Sequence, residues 1–225
     1  MATLSARIGL AQTDRKSDAK TIEKQISDFI AAEPQLFREL PGGKGSLVLP
    51  PEHRLVLHAA DFLSQVPVEP KPIDSARYIM DSHPVLEWPP DVGELEKPAN
   101  PIIIAFFAAT RTQPYDGDQT AWCAAFLCWT LEHCGFASPR SAGSKSFREF
   151  HHFPLVEDPG IGDIVIFKNR TRPAQGHVAF FDGFANDDKD QIVCLGGNQA
   201  NSLSRKVFRR RSNSLNLVGF RRPSK

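Results

Sequence analysis

The fold of this chain is decided by one stretch, Trp122-Cys-Ala-Ala-Phe-Leu-Cys-Trp-Thr-Leu-Glu-His-Cys-Gly135. It is mostly apolar, it follows a polar loop at residues 111–120, and it ends on a glycine, which helices favour just past their last turn. We therefore predict a helix over residues 123–134 that Gly135 terminates. Cys123 then lies at the start of this helix, where unpaired backbone N–H groups and the helix dipole favour negative charge.

Two patterns flank this helix. Before it, Asn100-Pro101 predicts a helix start, with Asn100 as N-cap and residues 102–109 as the body. After it, five apolar segments separated by Gly, Asp and Asn clusters predict strands, at residues 163–168, 177–181, 191–195, 205–210 and 215–220. Helices followed by a run of antiparallel strands predict an α+β fold.

Cys123 is the candidate nucleophile, because a cysteine attacks as its thiolate and a helix N-terminus favours that form. Such a cysteine also needs a base. His177 begins a predicted strand directly after Gly176 and is our candidate. His151 and His152 are alternative bases, but they lie in a predicted loop and are typical of solvated side chains.

A third group usually orients the imidazole of a cysteine–histidine pair. Asn198 is one candidate, since it follows Gly196-Gly197 at the end of a predicted strand, where glycines let the backbone turn sharply. The same residues are equally typical of a plain Gly-Asn turn. Asp182 is the alternative orienting residue, although strand alternation places it on the face opposite His177.

The chain contains four cysteines, Cys123, Cys128, Cys134 and Cys194, and no CxxC pair. Metal sites built from cysteine and histidine usually need tighter spacing, so we predict no metal site. Four cysteines in 225 residues also do not make a disulfide scaffold. We expect the last three to be small buried apolar residues.

The first hundred residues differ from the rest in composition, since twelve of the eighteen prolines fall between Pro34 and Pro101. Apolar spacing predicts helices over residues 21–40 and 52–66. The prolines at 67, 70 and 72 and at 89–90 predict stiff linkers. We therefore divide the chain into a helical, proline-rich accessory region, residues 1–97, and a catalytic domain, residues 98–225.

Six short motifs follow one another along the second region: Asn100-Pro-Ile, Trp122-Cys-Ala-Ala-Phe126, Pro159-Gly-Ile-Gly-Asp163, Gly176-His-Val178, Leu195-Gly-Gly-Asn-Gln199 and Gly219-Phe-Arg-Arg-Pro223. The ordered set, over residues 98–223, resembles the CHAP and NlpC-type superfamily of cysteine amidases and peptidases. It is most similar to a bacterial and phage branch with WCAAF and LGGNQ signatures. The resemblance implies a papain-like fold, with a nucleophile helix packed on an antiparallel sheet, and hydrolysis of amide bonds in bacterial peptidoglycan.

Carried over residue by residue, the resemblance implies Cys123 as nucleophile, His177 as base and Asn198 as the polar third residue. One position departs from the family pattern. The family often has a glutamate two residues before that asparagine, and this chain has Gly196 there. Whether Asn198 or Asp182 orients His177 is left open by the sequence.

The oxyanion formed when a thiolate attacks an amide carbonyl needs hydrogen-bond donors. We expect backbone N–H groups near Cys123, together with Gln119, to supply them. Trp122 is large enough to wall the substrate cleft, and we expect it to contact substrate. This mechanism needs no metal and no organic cofactor.

Composition also bears on where the chain acts. No stretch approaches eighteen apolar residues, and the N-terminus has no basic start followed by an apolar run, so we predict neither a transmembrane helix nor a Sec signal peptide. The enzyme would then reach peptidoglycan by phage lysis, or by delivery as an antibacterial toxin, with a secretion-machine protein and an immunity protein as partners. The net charge of +1 does not require a nucleic acid as partner.

Two other functions fit the sequence. A papain-like domain without activity would be a cell-wall-binding module, and residues 205–225, with eight basic and no acidic residues, would suit an anionic wall polymer or a nucleic acid. The same charges are also typical of solvated strand faces. The thiol chemistry, finally, would serve a cysteine protease that acts on a protein.

Overall fold

The computed structural model describes residues 48–88, 91–92, 95–96 and 98–225. The described residues form two compact units that alternate along the chain. The first unit includes residues 48–66, 114–120 and the described part of 79–105, and the second includes residues 67–78, 106–113 and 121–225. The boundary predicted between residues 97 and 98 stays a prediction, and the helix predicted over 21–40 lies outside the described residues.

Helix α1 of the first unit, Arg54–Ser64, confirms the helix predicted at residues 52–66. His53 is its N-cap, because Nδ1 of His53 accepts a hydrogen bond from the backbone N–H of Leu55 at 3.2 Å. The buried face of the helix consists of Leu55, Ala59 and Leu63. Their spacing is that of one helical face, so the apolar pattern read from the sequence corresponds to real burial.

A second helix, α2, runs over Pro72–Ser82 and corrects the prediction of a stiff linker around Pro72. Proline has no N–H to donate and a fixed φ, and both properties suit the first position of a helix. Pro72 therefore starts an element instead of interrupting one. Further along the chain, strands β1 (Asp91–Val92) and β2 (Leu95–Glu96) form a two-stranded antiparallel pair.

Helix α3, Pro101–Phe106, begins where the sequence predicts it. The side-chain oxygen of Asn100 accepts a hydrogen bond from the backbone N–H of Ile102 at 3.0 Å, which confirms Asn100 as N-cap. The predicted body at 102–109 is partly different, because its last turn, Phe107–Ala109, is a tighter 3₁₀ helix.

Helix α4, Cys123–His133, is the central helix of the second unit and confirms the prediction made from the deciding stretch. Gly135 follows it with a φ of 74°, a left-handed conformation that glycine adopts without strain. The backbone N–H of Gly135 donates to the carbonyl of Glu132, and that of Phe136 donates to the carbonyl of Leu131 at 2.9 Å. This pair of bonds is a Schellman motif, which satisfies the last carbonyls of the helix.

The sheet of the second unit has six antiparallel strands. They are β3 (Leu155–Val156), β4 (Ile164–Asn169), β5 (Gly176–Phe184), β6 (Gln191–Gly196), β7 (Ser204–Arg209) and β8 (Leu215–Arg221), in the order β3-β8-β4-β5-β6-β7. Five of them confirm the five predicted strands. A short helix, α5 (Lys145–Glu149), precedes the sheet. Helices combined with an antiparallel sheet confirm the α+β class.

The end of β7 turns back to β8. Arg211 pairs with Asn216, and the backbone N–H of Leu217 donates to the carbonyl of Arg210 at 2.7 Å. One face of the sheet buries a cluster that includes Phe167, Ala179, Phe181, Cys194 and Phe220, and Phe208 of β7 packs against it. The turn back to β8 explains how a side chain of β7 reaches residues of β4 and β5.

Candidate active site

Cys123 occupies the first position of α4, as predicted, and its side chain is buried. The first backbone N–H groups of a helix have no partner within the helix. Burial raises the pKa of the Cys123 thiol above its usual value, and the nearby backbone N–H groups of Val178, Ala124 and Cys123 itself oppose that rise without reversing it. The thiol is therefore protonated at rest, and the sulfur lies against the residue that follows His177.

His177 begins β5 and is buried at 8% exposure. Its Nε2 lies 3.1 Å from the side-chain oxygen of Gln199, and its ring stacks on Phe208 with the centroids 5.1 Å apart. Burial lowers the pKa of His177 to about 4, the hydrogen bond that His177 donates to Gln199 opposes that shift, and the charge of Lys206 adds to it. At neutral pH the imidazole is therefore uncharged.

The amide of Gln199 is itself held in place. Its nitrogen donates hydrogen bonds to the backbone carbonyls of Cys194, at 3.2 Å, and of Ser204. The amide oxygen therefore faces His177, and an amide oxygen only accepts hydrogen bonds. Nε2 of His177 must carry the hydrogen, which leaves Nδ1 of the neutral ring with a free lone pair to act as a base.

Close packing between glycines and large side chains builds this arrangement. A methyl group on Gly197 would lie 2.3 Å from the ring of Trp122, and one on Gly176 would lie 2.1 Å from the backbone oxygen of Phe167. No side chain fits at either place. Gly197 thus allows the end of β6 to pass against the residue before Cys123, and Gly176 allows the start of β5 to pair tightly with β4.

The polar side chain that hydrogen-bonds the imidazole of His177 is that of Gln199, whereas the sequence predicts Asn198 or Asp182 in this role. Asn198 is half-buried and adopts a left-handed φ of 56°, which asparagine tolerates well, and it fits the alternative reading as a plain turn residue. Both carboxylate oxygens of Asp182 are paired, one with Arg77 and the other with Arg205. Neither predicted residue hydrogen-bonds the imidazole, and we replace both with Gln199.

A glutamate, which the superfamily that the motifs resemble often has two residues before the asparagine, would not fit in this chain. It would stand at Gly196, where a methyl group would lie 2.8 Å from the Cβ atom of Ala179. Three residues later, Gln199 supplies a polar side chain to the same imidazole. Gln199 belongs to the LGGNQ motif but is not among the predicted site residues, and the preference of the preceding Asn198 for a left-handed turn is the feature of the sequence that points to it.

The two predicted substrate contacts have other positions. The side-chain amide of Gln119, in the first unit, donates to the backbone carbonyl of Trp88 at 3.1 Å and to Asp118 at 3.2 Å, so both of its N–H groups have acceptors there. Trp122 is completely buried and stacks on Phe106 with ring centroids 6.1 Å apart. Trp122 is thus a core residue, and we no longer assign it a substrate contact.

The remaining candidates are also located. His151 and His152 are exposed, as expected of solvated side chains. Cys128, Cys134 and Cys194 are buried, which confirms them as core residues. Within the part of the chain that the structure describes, no group of three or more His, Cys, Asp or Glu side chains could hold a metal ion. No helix among the described residues has the length and apolar character needed to span a membrane.

Comparison with known proteins does not identify the chain. No family model, no curated protein and no solved structure matches it. The resemblance to the CHAP and NlpC-type superfamily therefore stays a prediction from the motifs in the sequence.

Proposed function

We propose that this chain is a papain-like cysteine hydrolase that cleaves amide bonds in bacterial peptidoglycan stem peptides. One observation carries the proposal. The thiol of Cys123, at the N-terminus of α4, lies against the backbone N–H of Val178, next to an uncharged His177 whose Nε2 is held by Gln199. A thiol at a helix N-terminus, an imidazole base with a fixed tautomer and an amide that orients it are the groups that cysteine hydrolysis uses.

The reaction begins with Cys123 and His177 both uncharged. The sulfur attacks the carbonyl carbon of the amide, and the thiol proton moves to Nδ1 of His177. The backbone N–H of Cys123, in the first turn of α4, is a donor for the oxyanion that forms. His177 then gives its proton to the leaving amine, and water hydrolyses the thioester with His177 as base.

A neutral starting pair suits this sequence of steps. Burial raises the pKa of Cys123 and lowers that of His177, so a charged thiolate–imidazolium pair is disfavoured in the free enzyme. Charge develops only as the new carbon–sulfur bond forms, and at that moment the donors around the sulfur stabilise it. The amide of Gln199 keeps the imidazole oriented throughout, because its own nitrogen is held by two carbonyls.

Peptidoglycan is proposed as the substrate because of the six ordered motifs and because α4 packs against β5 of an antiparallel sheet, as expected of a papain-like nucleophile helix. Delivery as an antibacterial toxin, with an immunity protein and a secretion-machine protein as partners, and phage lysis are the two proposed routes to the wall. The proposed enzyme works without a cofactor.

A non-catalytic wall-binding module is the second candidate, and one observation favours it. Arg209, Arg210 and Arg211 are exposed at the end of β7, where they would suit an anionic polymer. A third candidate, a protease that acts on a protein, uses the same thiol chemistry on a different amide.

The test is digestion of purified peptidoglycan sacculi, with soluble muropeptides measured by mass spectrometry. We expect release by the natural chain, release reduced by a factor of about 1,000 or more in Cys123→Ala, and near-normal release in the matched variant Cys134→Ala. The masses of the products identify the bond that is cut. Sedimentation with sacculi without release would favour the binding module, and cleavage only in a parallel panel of proteins would favour the protease.

A further inference from the structure

One face of the His177 ring is covered by a side chain of β7. Phe208 stacks on the imidazole, and the ammonium nitrogen of Lys206 lies 5.9 Å from the centre of the Phe208 ring. Residues two apart on a strand share a face. Lys206 and Phe208 therefore project from β7 on the face that reaches His177, and Lys206 is the exposed member of the pair.

The charge of Lys206 is not neutralised within the described structure. Its ammonium takes part in none of the ion pairs between described residues. The acid that lies on the strand of His177, Asp182, is already paired through both oxygens with Arg77 and Arg205. Lys206 thus leaves one positive charge without an ion-pair partner among the described residues, over the aromatic ring that stacks on the proposed catalytic histidine.

The electrostatic influence of Lys206 reaches the imidazole, since its charge is one of the causes that lower the pKa of His177. A cation whose field reaches a proposed base disfavours the imidazolium that forms during the reaction. Such a position works against catalysis on a neutral substrate. It favours a substrate that brings a negative charge of its own.

We propose that Lys206 is a specificity-determining residue that binds a free carboxylate of the substrate next to the scissile amide. The inference deepens the proposed function and rests on it. Peptidoglycan stem peptides are a suitable class, because several of their residues carry a free carboxylate beside a backbone or side-chain amide. A lysine ammonium binds a carboxylate through charge-assisted hydrogen bonds and discriminates against the neutral carboxamide of the same shape.

The first test needs no peptidoglycan. Cys123 is alkylated at pH 7 with iodoacetate, which carries a carboxylate, and with iodoacetamide, its neutral counterpart, and the two rates are divided. We expect this ratio to fall by about fivefold in Lys206→Gln, since removing one cation from the surroundings of the thiol weakens attraction for an anionic reagent by that order. Using the ratio cancels any general change in the reactivity of the sulfur.

Arg209→Gln is the matched control for this test. Arg209 is exposed on the same strand, one residue beyond Phe208, and alternation places it on the opposite face. Its loss changes the net charge equally and should leave the ratio unchanged. An unchanged ratio in Lys206→Gln, or an equal fall in Arg209→Gln, would overturn the inference. Failure of Cys123 to react with either reagent would overturn the proposed function itself.

The second test uses two stem peptides that differ only in having a carboxylate or a carboxamide beside the scissile bond. We expect the natural enzyme to prefer the carboxylate by about tenfold in kcat/KM, and Lys206→Gln to lose that preference through its KM. Equal kcat/KM for both peptides in the natural enzyme would overturn the inference while leaving the proposed hydrolase intact. Cleavage of neither peptide, and no release from sacculi, would count against the hydrolase.

Discussion

The two ends of helix α4 each carry a buried cysteine, and the surroundings of the two sulfurs differ. At the N-terminal end, burial raises the pKa of the Cys123 thiol, and the nearby backbone N–H groups of Val178, Ala124 and Cys123 itself oppose that rise. Just past the C-terminal end, the sulfur of Cys134 lies 3.2 Å from the hydroxyl of Ser75, and a Schellman motif closes the helix.

Burial alone therefore does not identify a candidate nucleophile. Cys123 is 6% exposed and Cys134 is 4% exposed, so accessibility does not separate them. What separates them is the direction of the backbone dipoles, because a helix presents N–H groups at its start and carbonyl groups at its end. Only the N-terminal end can stabilise a developing anion, and His177 is on the strand that lies against it.

The largest expected effect concerns the histidine opposite the N-terminal end. The pKa of His177 is about 4 in the folded chain and 6.5 in the unfolded chain, so the unfolded state binds the extra proton. The uncharged His177 therefore contributes fully to the free energy of unfolding above pH 6.5, and this contribution is lost as the pH falls toward 4. We expect the loss to be about 3 kcal/mol in the free energy of unfolding, measured by urea denaturation at pH 7 and pH 4.

Two variants isolate this effect from the titration of carboxylates. Between pH 7 and pH 4, the free energy of unfolding of His177→Gln should fall by about 3 kcal/mol less than that of the natural chain. His133→Gln, the matched change at the C-terminal end of α4, should keep the full difference because His177 is intact. An identical acid sensitivity in His177→Gln and the natural chain would show that the imidazole is not held uncharged.

The next effect is the relative reactivity of the two cysteines. At pH 7 we expect iodoacetamide to alkylate Cys123 about 30-fold faster than Cys134, because of the two only Cys123 lies at a helix N-terminus and near Val178, on the strand that carries the proposed base. Peptide mass spectrometry after timed quenching measures each site separately. The excess should disappear in His177→Gln. Equal rates at the two cysteines would remove the distinction between the two ends of the helix.

The orienting amide gives a smaller effect. Gln199→Ala frees the imidazole of His177 to rotate, and we expect kcat/KM to fall about tenfold, corresponding to one hydrogen bond. Asn198→Gly is the control, since glycine retains the left-handed backbone conformation while removing the side chain. A tenfold loss in Asn198→Gly with normal activity in Gln199→Ala would restore the assignment made from the sequence.

The smallest effect belongs to the C-terminal end. Gly135→Ala forces an alanine into a φ of 74°, and we expect unfolding to become easier by about 1 kcal/mol. No heavy atom lies within 4 Å of a methyl group placed there, so the cost comes from the backbone and not from a clash. Catalytic rates should stay the same, and a lowered kcat would mean that the two ends of α4 are coupled.

Most of the second unit could be predicted from its sequence, because its elements follow local rules. Alternating apolar residues give β8 within one residue of its predicted end, and Gly135 follows α4 in the left-handed conformation, as the sequence predicts. Helix α2 was not predicted, because its local sequence signals are ambiguous. Three prolines near its start favour a linker, and only the context decides whether Pro72 ends one segment or begins the next.

The site could be predicted only in part. Cys123 and His177 each stand at the start of an element, and such positions are visible in the sequence. The partner of His177 depends on how the chain turns after β6, because a left-handed Asn198 directs the following side chain, that of Gln199, back toward β5. Phe208, and with it the face of β7 that carries Lys206, reaches the site because the end of β7 turns back to β8. No local sequence pattern predicts this turn.

The contact between Gly197 and Trp122 has a consequence for how the enzyme would work. Trp122 immediately precedes the sulfur-bearing residue, and Gly197 lies two positions before the amide that holds the imidazole. A side chain at Gly197 would overlap the Trp122 ring, so the backbone two residues before Gln199 is fixed against the residue that precedes Cys123. In the proposed enzyme, the residue before the nucleophile and the turn that carries the orienting amide would therefore belong to one rigid part of the hydrophobic interior.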